Sequence, residues 1–184
     1  MKKTVLTFGL ISGVIMTAMM WGTLPFMDRI GPDRGMVIGY TTMVLSFMLV
    51  FFGIRSYREN FGGGTISFGR AFAVGILIVL VSSALYVISW EILYFGVPGF
   101  ADKFNAMLIA QAQKKGGSPE QIQVAVQQMK DFLAMYQNPF KNAALTFIEP
   151  SPIGLIVTLV SALILRRRRI PRDAADQTAI KAEA

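Results

Sequence analysis

The chain of 184 residues contains no cysteine and no histidine. The first absence excludes disulfides and thiolate chemistry, and the second excludes acid–base catalysis by imidazole. Together they remove the usual protein ligands of zinc. Serines such as Ser83 and Ser151 therefore have no histidine to activate them as nucleophiles. We expect no cofactor and no metal centre, and an enzyme is the least favoured class of protein.

Charge is also scarce in this sequence. Charged residues make up 16% of the chain, against about 25% in an average soluble domain, and hydrophobic residues make up 53%. The hydrophobic residues form four long blocks, a distribution that indicates membrane spans. The block from Ala71 to Trp90 has no charged residue. About 20 residues of helix cover roughly 30 Å, the thickness of the hydrocarbon core.

The four blocks predict an all-α integral membrane four-helix bundle. We expect one membrane domain over residues 1–172 and a disordered cytoplasmic tail over residues 173–184. The spans are expected at about 4–26, 35–54, 71–95 and 142–165. The first span follows a short basic start, but its apolar run exceeds the roughly 7–15 residues of a signal peptide. We therefore expect it to remain uncleaved.

Residues 100–138, between the third and fourth spans, predict an extracytoplasmic amphipathic αα-hairpin. Apolar residues recur at helical spacing on both sides of Gly116-Gly117. Ser118 and Gln121 have the spacing of a capping box at the start of the second helix. The pattern leaves open whether the hairpin packs on the bundle or lies on the membrane surface.

Small residues have two predicted roles in this chain. The glycine run Gly62 to Gly64 could form a phosphate cradle, but a P-loop requires GxxxxGK[ST] after a strand, so a flexible turn is favoured. Two rows of small residues with four-residue spacing predict close packing of helices. These rows are Gly9, Gly13 and Thr17 in the first span, and Gly154, Thr158 and Ala162 in the last.

The basic residues predict the orientation of the spans. A net charge of +7 could suggest a nucleic-acid partner, but most basic residues flank the spans on one side. These are Lys2, Lys3, Arg55, Arg58, Arg70, Arg166, Arg167, Arg168, Arg169 and Arg172. The positive-inside rule then places both termini in the cytoplasm and the hairpin outside. We expect the lipid bilayer as a partner, with residues 166–169 anchoring the chain to anionic phospholipids at the cytoplasmic face, and no nucleic acid.

Two acidic residues, Glu91 and Glu149, fall within or at the edge of the apolar spans. Carboxylates at such positions tend to face the bundle interior or water, so these two are the candidate site for a cation or proton. The prolines after Glu149 should break the last span and free backbone carbonyls beside it. Alternatively, both acids are hydrated at the headgroup level or paired with Lys141 or Arg34.

Aromatic residues gather near the predicted outer ends of the spans: Trp21, Trp90, Tyr94 and Phe95. Tryptophan and tyrosine are enriched where a membrane meets water, so this position favours an aromatic belt. A cofactor-binding cluster is the less favoured alternative.

Three stretches resemble a known family when they are taken in order. They are GGGTISFGRAFAVGILIVLVSSALYVISW, MKDFLAMYQNPF and FIEPSPIGLIVTLVSALILRRRR. The chain resembles a group of bacterial four-span membrane proteins known only as domain of unknown function 4199. The resemblance implies a bacterial inner-membrane protein of unknown activity, and it supplies no catalytic residues.

Two functional hypotheses follow. The leading one is a non-enzymatic accessory or assembly protein that contacts a membrane-protein partner or a second copy of itself, through its small-residue rows and its hairpin. The alternative is a small oligomeric transporter or channel in which Glu91 and Glu149 line the path of a cation or proton.

Overall fold

The computed structural model describes residues 1–114 and 116–167, and this part of the chain is almost entirely helical. The helices are α1 (Lys2–Thr23), a 3-10 turn (Leu24–Phe26), α2 (Met27–Ile30), α3 (Pro32–Phe61), α4 (Phe68–Gly96), α5 (Phe100–Lys114), α6 (Pro119–Tyr136), α7 (Pro139–Ile148) and α8 (Ser151–Leu165). Four stretches are long and apolar enough to cross a membrane: α1, α3, α4, and α7 with α8. The predicted all-α fold with four spans is confirmed. The predicted tail over residues 173–184 lies outside the described residues.

Helix α4 is the centre of the bundle. It packs against α1, α3 and α8 along its length, and against α5 and α7 near its end. Its buried residues recur every three or four positions: Ala71, Val74, Gly75, Ile78, Val79, Ser82 and Ser83. Helices α1 and α8 each pack on both α3 and α4 but make no comparable contact with each other, so they flank the α3–α4 pair. We refer to the end where α4 begins and α8 ends as the arginine end, and to the opposite end as the hairpin end.

The two predicted rows of small residues bring α1 and α8 close to α4. A Cβ atom added at Gly9 would lie 2.7 Å from the Cβ of Val81, so the helices approach too closely for any larger residue. A Cβ atom at Gly154 would overlap the side chain of Val79. The Ser82 hydroxyl donates a hydrogen bond of 3.0 Å to the Gly9 carbonyl across the same contact. The predicted packing through small residues is confirmed.

The glycine run at the arginine end is a hydrogen-bonded turn. The N–H groups of Gly62 and Gly64 both donate to the Arg58 carbonyl, each at 3.1 Å, and so end α3. Gly64 has a φ of 80°, in the left-handed region that favours glycine. Ile66 and Arg167 then exchange two backbone hydrogen bonds of 3.1 and 3.0 Å. The sequence predicted a flexible turn here. The structure instead shows the turn held by backbone hydrogen bonds, with the end of α8 paired to the segment that follows it.

The fourth span is broken at Glu149–Pro150, where α7 ends and α8 begins. This is the predicted interruption, because proline supplies no N–H to the helix and its ring crowds the preceding turn. On one side of the break, α8 packs on both α3 and α4. On the other side, α7 packs on α4 but makes no comparable contact with α3. The fourth span therefore leaves α3 at the break.

Helices α5 and α6 pack against each other and against the ends of α4 and α7. The Ser118 hydroxyl accepts from the Gln121 N–H at 3.3 Å and the Gln121 side chain accepts from the Ser118 N–H at 3.0 Å, so the predicted capping box is present. Part of the apolar stripe of each helix is buried in these contacts, including Ala112 of α5 and Leu133 and Tyr136 of α6. The structure thus answers the question left by the sequence: the hairpin packs on the end of the bundle.

Candidate functional site: a cavity at the hairpin end

A cavity of about 370 Å³ lies at the hairpin end, between α1, α3, α4 and α5. Small-molecule sites typically enclose about 300–1,000 Å³, so the volume is sufficient for a ligand. The cavity occupies the space that opens where the fourth span leaves α3. Phe104, Met107, Leu108 and Gln111 of α5 line it on the hairpin side. We refer to this space as the hairpin-end cavity.

The walls of the hairpin-end cavity are mainly apolar and rich in methionine. Among the described side chains, six methionines line it: Met16, Met19, Met20, Met36, Met43 and Met107. Methionine side chains are flexible and polarizable, and they adapt to ligands of different shape. Four aromatic residues complete the wall: Tyr86, Trp90, Phe104 and Tyr136. The lining is therefore suited to an apolar ligand.

A third row of small residues shapes the cavity from α3. Gly31, which precedes the first residue of α3, and Gly35 and Gly39 within α3 are four residues apart, and all three line it. A Cβ atom added at any of the three would meet no heavy atom within 4 Å. These glycines therefore leave space, whereas Gly9 and Gly154 allow contact between helices. The sequence interpretation missed this row, although its spacing was visible.

Glu149 lies on the cavity wall, at the break between α7 and α8. Its Oε2 accepts a hydrogen bond of 3.4 Å from the Tyr86 hydroxyl of α4. The side chain has substantial accessible area and is nevertheless closely surrounded by protein atoms, as expected of a group on a concave wall. Among the side chains that the structure describes, the ion pairs join Glu59 to Arg55 and to Arg58. The proposed pairing of Glu149 with Lys141 or Arg34 is therefore not observed.

Glu91 does not line the hairpin-end cavity. It follows Tyr86 by five positions on α4, which places it about 140° around the helix from the tyrosine that contacts Glu149. It is partly buried, and its Oε1 is a buried atom without a hydrogen-bond partner among the described residues. The structure consequently does not bring the two candidate acids together in this cavity. Only Glu149 is placed where a ligand in the cavity could contact it.

A buried polar network attaches the hairpin to the bundle beside the cavity. Asn142 of α7 is 0% exposed and lies at its centre. Its Oδ1 accepts from the Trp90 indole N–H at 3.0 Å and from the Thr146 hydroxyl at 3.2 Å. Its side-chain amide donates to the Tyr136 carbonyl at 3.0 Å. The Tyr136 and Thr146 hydroxyls are also hydrogen-bonded, at 3.0 Å, so the network joins α4, α6 and α7.

Aromatic rings surround this network. The ring centroid of Trp90 lies 5.1 Å from that of Phe104 and 6.5 Å from that of Tyr136, both in edge-to-face geometry. The Tyr94 hydroxyl donates to Asn105 of α5 at 3.0 Å. Burial raises the pKa of the Tyr136 hydroxyl above its ordinary value, and the nearby Glu149 raises it further. These rings hold α5 and α6 against the end of α4.

The aromatic-belt interpretation is wrong for two of the four residues to which it was applied. Trp90 is 9% exposed and Tyr94 is 3% exposed, and both lie beneath the hairpin. Trp21 and Phe95 remain on the surface, and the Trp21 indole N–H donates to the Ser89 hydroxyl at 2.8 Å. Position near the end of a span predicted an interface for all four, but it did not reveal which of them the hairpin covers.

The structure describes only part of the predicted arginine anchor. Arg166 and Arg167 follow the end of α8 and are exposed. Arg168 and Arg169 lie outside the described residues. The neighbouring Arg58 donates to the Leu165 carbonyl at 3.4 Å, which satisfies one free carbonyl at the end of α8.

Among the described residues, no group of three or more acidic, histidine or cysteine side chains could hold a metal ion. No curated protein and no solved structure matches the chain. A family model described as "Protein of unknown function (DUF4199)" matches residues 7–167. This range includes the first span from residue 7 onward, the other three spans, the hairpin-end cavity and the hairpin. The chain therefore belongs to the DUF4199 family.

Proposed function

We propose that this protein is a non-enzymatic membrane protein that binds a small, mostly apolar molecule in the hairpin-end cavity. The observation that carries the proposal is the cavity itself: about 370 Å³, walled by methionine and aromatic side chains, with one carboxylate on its surface. Binding sites of this composition combine apolar walls with a few polar groups that orient the ligand. A non-enzymatic role is supported by the absence of histidine and cysteine, and by the Ser151 hydroxyl, which donates to the Phe147 carbonyl at 2.6 Å.

The resemblance to bacterial proteins and the distribution of arginines support a location in the bacterial inner membrane. We propose that both termini are cytoplasmic, so that the hairpin and its cavity face the opposite side. Residues 166–169 would then lie at the anionic cytoplasmic leaflet. Cysteine-accessibility labelling tests this orientation, since the natural chain has no cysteine. A cysteine in the Gly116-Gly117 turn should be labelled from outside, and labelling from the cytoplasm alone would refute the orientation.

Filling the cavity tests the binding proposal. Gly39→Leu should occupy the space without a clash, because a Cβ atom at Gly39 meets nothing within 4 Å. The matched control is Gly22→Leu, at a glycine that is also uncrowded but does not line the cavity. We expect saturable binding of 1-naphthalenemethanol to the natural chain in lipid nanodiscs, retained in Gly22→Leu and lost in Gly39→Leu. Equal binding by the two variants would refute the proposal.

A ligand-binding cavity is also what a small oligomeric transporter would require. In that version Glu149, rather than Glu149 together with Glu91, would contact the transported species, because Glu91 does not line the cavity. Flux in proteoliposomes should fall in Glu149→Gln and persist in Glu91→Gln. Loss of flux in Glu91→Gln alone would favour a path outside this cavity.

An accessory role is the second candidate, and one surface favours it. The hairpin side exposes apolar residues outside the four spans, including Val124, Met135 and Phe132 on α6. The two predicted rows of small residues on α1 and α8 do not support this role, since Gly9, Gly13 and Gly154 pack against α4. If the α6 surface binds a membrane protein or a second copy, Val124→Glu should abolish a stoichiometric complex seen in mild detergent. A monomer in both detergent and nanodiscs would count against this role.

A further inference from the structure

The wall of the hairpin-end cavity carries a single described charge. Among the residues that the structure describes, Glu149 is the only charged residue in the lining. It accepts a hydrogen bond of 3.4 Å from the Tyr86 hydroxyl, a neutral group. A carboxylate in apolar surroundings is costly unless a proton or a cation neutralises it. The described part of the protein supplies no cation in the cavity for this purpose.

The aromatic residues of the cavity favour a positive ligand for an independent reason. Trp90, Phe104 and Tyr86 all line the cavity that Glu149 lines. A cation near the face of such rings is attracted by their negative π surface, and tryptophan is the most effective of them. Methionine sulfur is also polarizable and makes favourable contacts with aromatic groups. The wall thus combines one negative charge, π surfaces and flexible apolar side chains.

From these features we infer that the cavity takes a monovalent organic cation with an apolar body. The inference rests on the proposed ligand-binding function and adds the charge of the ligand. The cationic group would lie at Glu149, and the apolar body would lie against the methionines of α1 and α3. A neutral ligand would leave the negative charge of the carboxylate without an opposite charge, and an anion would be repelled by it.

An inorganic cation fits the cavity less well. Calcium requires six to eight oxygen ligands, and magnesium requires an octahedral set. The described residues contain no cluster of three or more potential metal-binding side chains. An organic cation needs only one carboxylate, because its apolar body is stabilised by the rest of the wall. A single negative charge also matches a single positive charge on the ligand.

Three probes that share a naphthalene ring and differ in charge test the inference. They are (1-naphthylmethyl)trimethylammonium, 1-naphthalenemethanol and 1-naphthaleneacetate. Calorimetric titration of the full chain in phosphatidylcholine nanodiscs, with empty nanodiscs subtracted, measures each affinity. We expect the ammonium probe to bind at least about tenfold more tightly than the alcohol, a ratio equivalent to roughly 1.4 kcal/mol. The carboxylate probe should bind most weakly.

Three variants test whether Glu149 causes the preference for the ammonium probe. Glu149→Gln should reduce the affinity for the ammonium probe to that for the alcohol. Glu149→Asp, which keeps the charge, should retain a preference for the ammonium probe. Glu91→Gln removes a carboxylate outside the cavity and should bind like the natural chain. Because the natural chain alone reveals whether the cation is preferred, the test does not depend on the folding of any variant.

The outcomes separate this inference from the proposed function. Equal binding of the ammonium and alcohol probes would overturn the inference while leaving a ligand-binding cavity. A preference for the ammonium probe that survives in Glu149→Gln would also overturn it. Binding of none of the three probes would overturn both the inference and the proposed function.

Discussion

Replacing Asn142 by leucine should undock the hairpin from the bundle. Asn142 is 0% exposed, accepts from the Trp90 indole N–H at 3.0 Å and donates to the Tyr136 carbonyl at 3.0 Å. Leucine has a similar size but can make neither bond. Each buried group left without a partner costs about 1–3 kcal/mol, so the two together cost about 2–6 kcal/mol. The Thr146 hydroxyl retains its bond to the Tyr136 hydroxyl and adds no further cost.

The loss of stability in Asn142→Leu should be confined to the hairpin end. Phe47 and Val50 of α3 belong to a hydrophobic cluster separate from the one that contains Trp90 and Tyr136. Hydrogen exchange in nanodiscs should therefore show faster exchange in α5 and α6, with the central part of α4 unchanged. The Trp90 emission should also shift to the red as its ring becomes hydrated. A factor of ten in exchange rate corresponds to about 1.4 kcal/mol, so a rise of at least about 30-fold is expected.

The control is Asn60→Leu, at an exposed asparagine of α3 whose side-chain amide bonds only within its own helix, to Ser56. Such a surface change should alter stability by less than about 0.5 kcal/mol. Unchanged exchange in α5 and α6 of Asn142→Leu would refute the reasoning. So would an equal acceleration throughout the bundle, because it would show that Asn142 supports the whole fold rather than the attachment of the hairpin.

Three further predictions test the packing, the hairpin contact and the arginine anchor. Gly9→Ala should destabilise the protein by about 1–3 kcal/mol in denaturant titration, since the added Cβ atom would lie 2.7 Å from Val81. Gly22→Ala is the control and should leave stability unchanged or raise it. Equal changes in stability in the two variants would contradict the close contact of Gly9 with α4. Because the pKa of Tyr136 is raised in the folded protein, the neutral hydroxyl stabilises the fold fully below pH 10, and this stabilisation is lost as the pH rises further. Tyr136→Phe should therefore lose less stability at alkaline pH than the natural chain. An identical dependence of stability on pH in the two proteins would contradict the burial of the hydroxyl. Replacing residues 166–169 by glutamine should weaken binding of anionic lipid, measured by native mass spectrometry, by about 1 kcal/mol per arginine, and unchanged binding would remove the proposed anchor.

The features that were correctly predicted depend on nearby residues. The spans follow from the length of each apolar block, and the break at Glu149–Pro150 follows from proline chemistry. The capping box at Ser118 requires only the residue three positions later. Such features are determined by the local sequence and do not depend on how the helices pack.

The cavity could not be predicted in the same way, because spacing does not reveal what a small residue faces. Gly9 and Gly13 are four residues apart, and so are Gly35 and Gly39. The first pair lies against α4, with side-chain atoms within 3.0 Å of an added Cβ atom, while the second pair faces open space. Only the path of the neighbouring helix distinguishes contact from cavity. The same limit applied to Trp90, whose burial depends on where the hairpin folds back.

For Glu91 and Glu149, the packing of the helices decides which carboxylate faces the cavity. Both are single carboxylates in apolar blocks, and the sequence analysis assigned both to the same candidate site. Glu149 is next to Pro150, where the fourth span leaves α3 and space opens beside the bundle. Glu91 is in an unbroken helix, on a side of α4 away from that space. The helix break therefore accounts both for the space and for the carboxylate that faces it, which is why we assign the ligand contact to Glu149 alone.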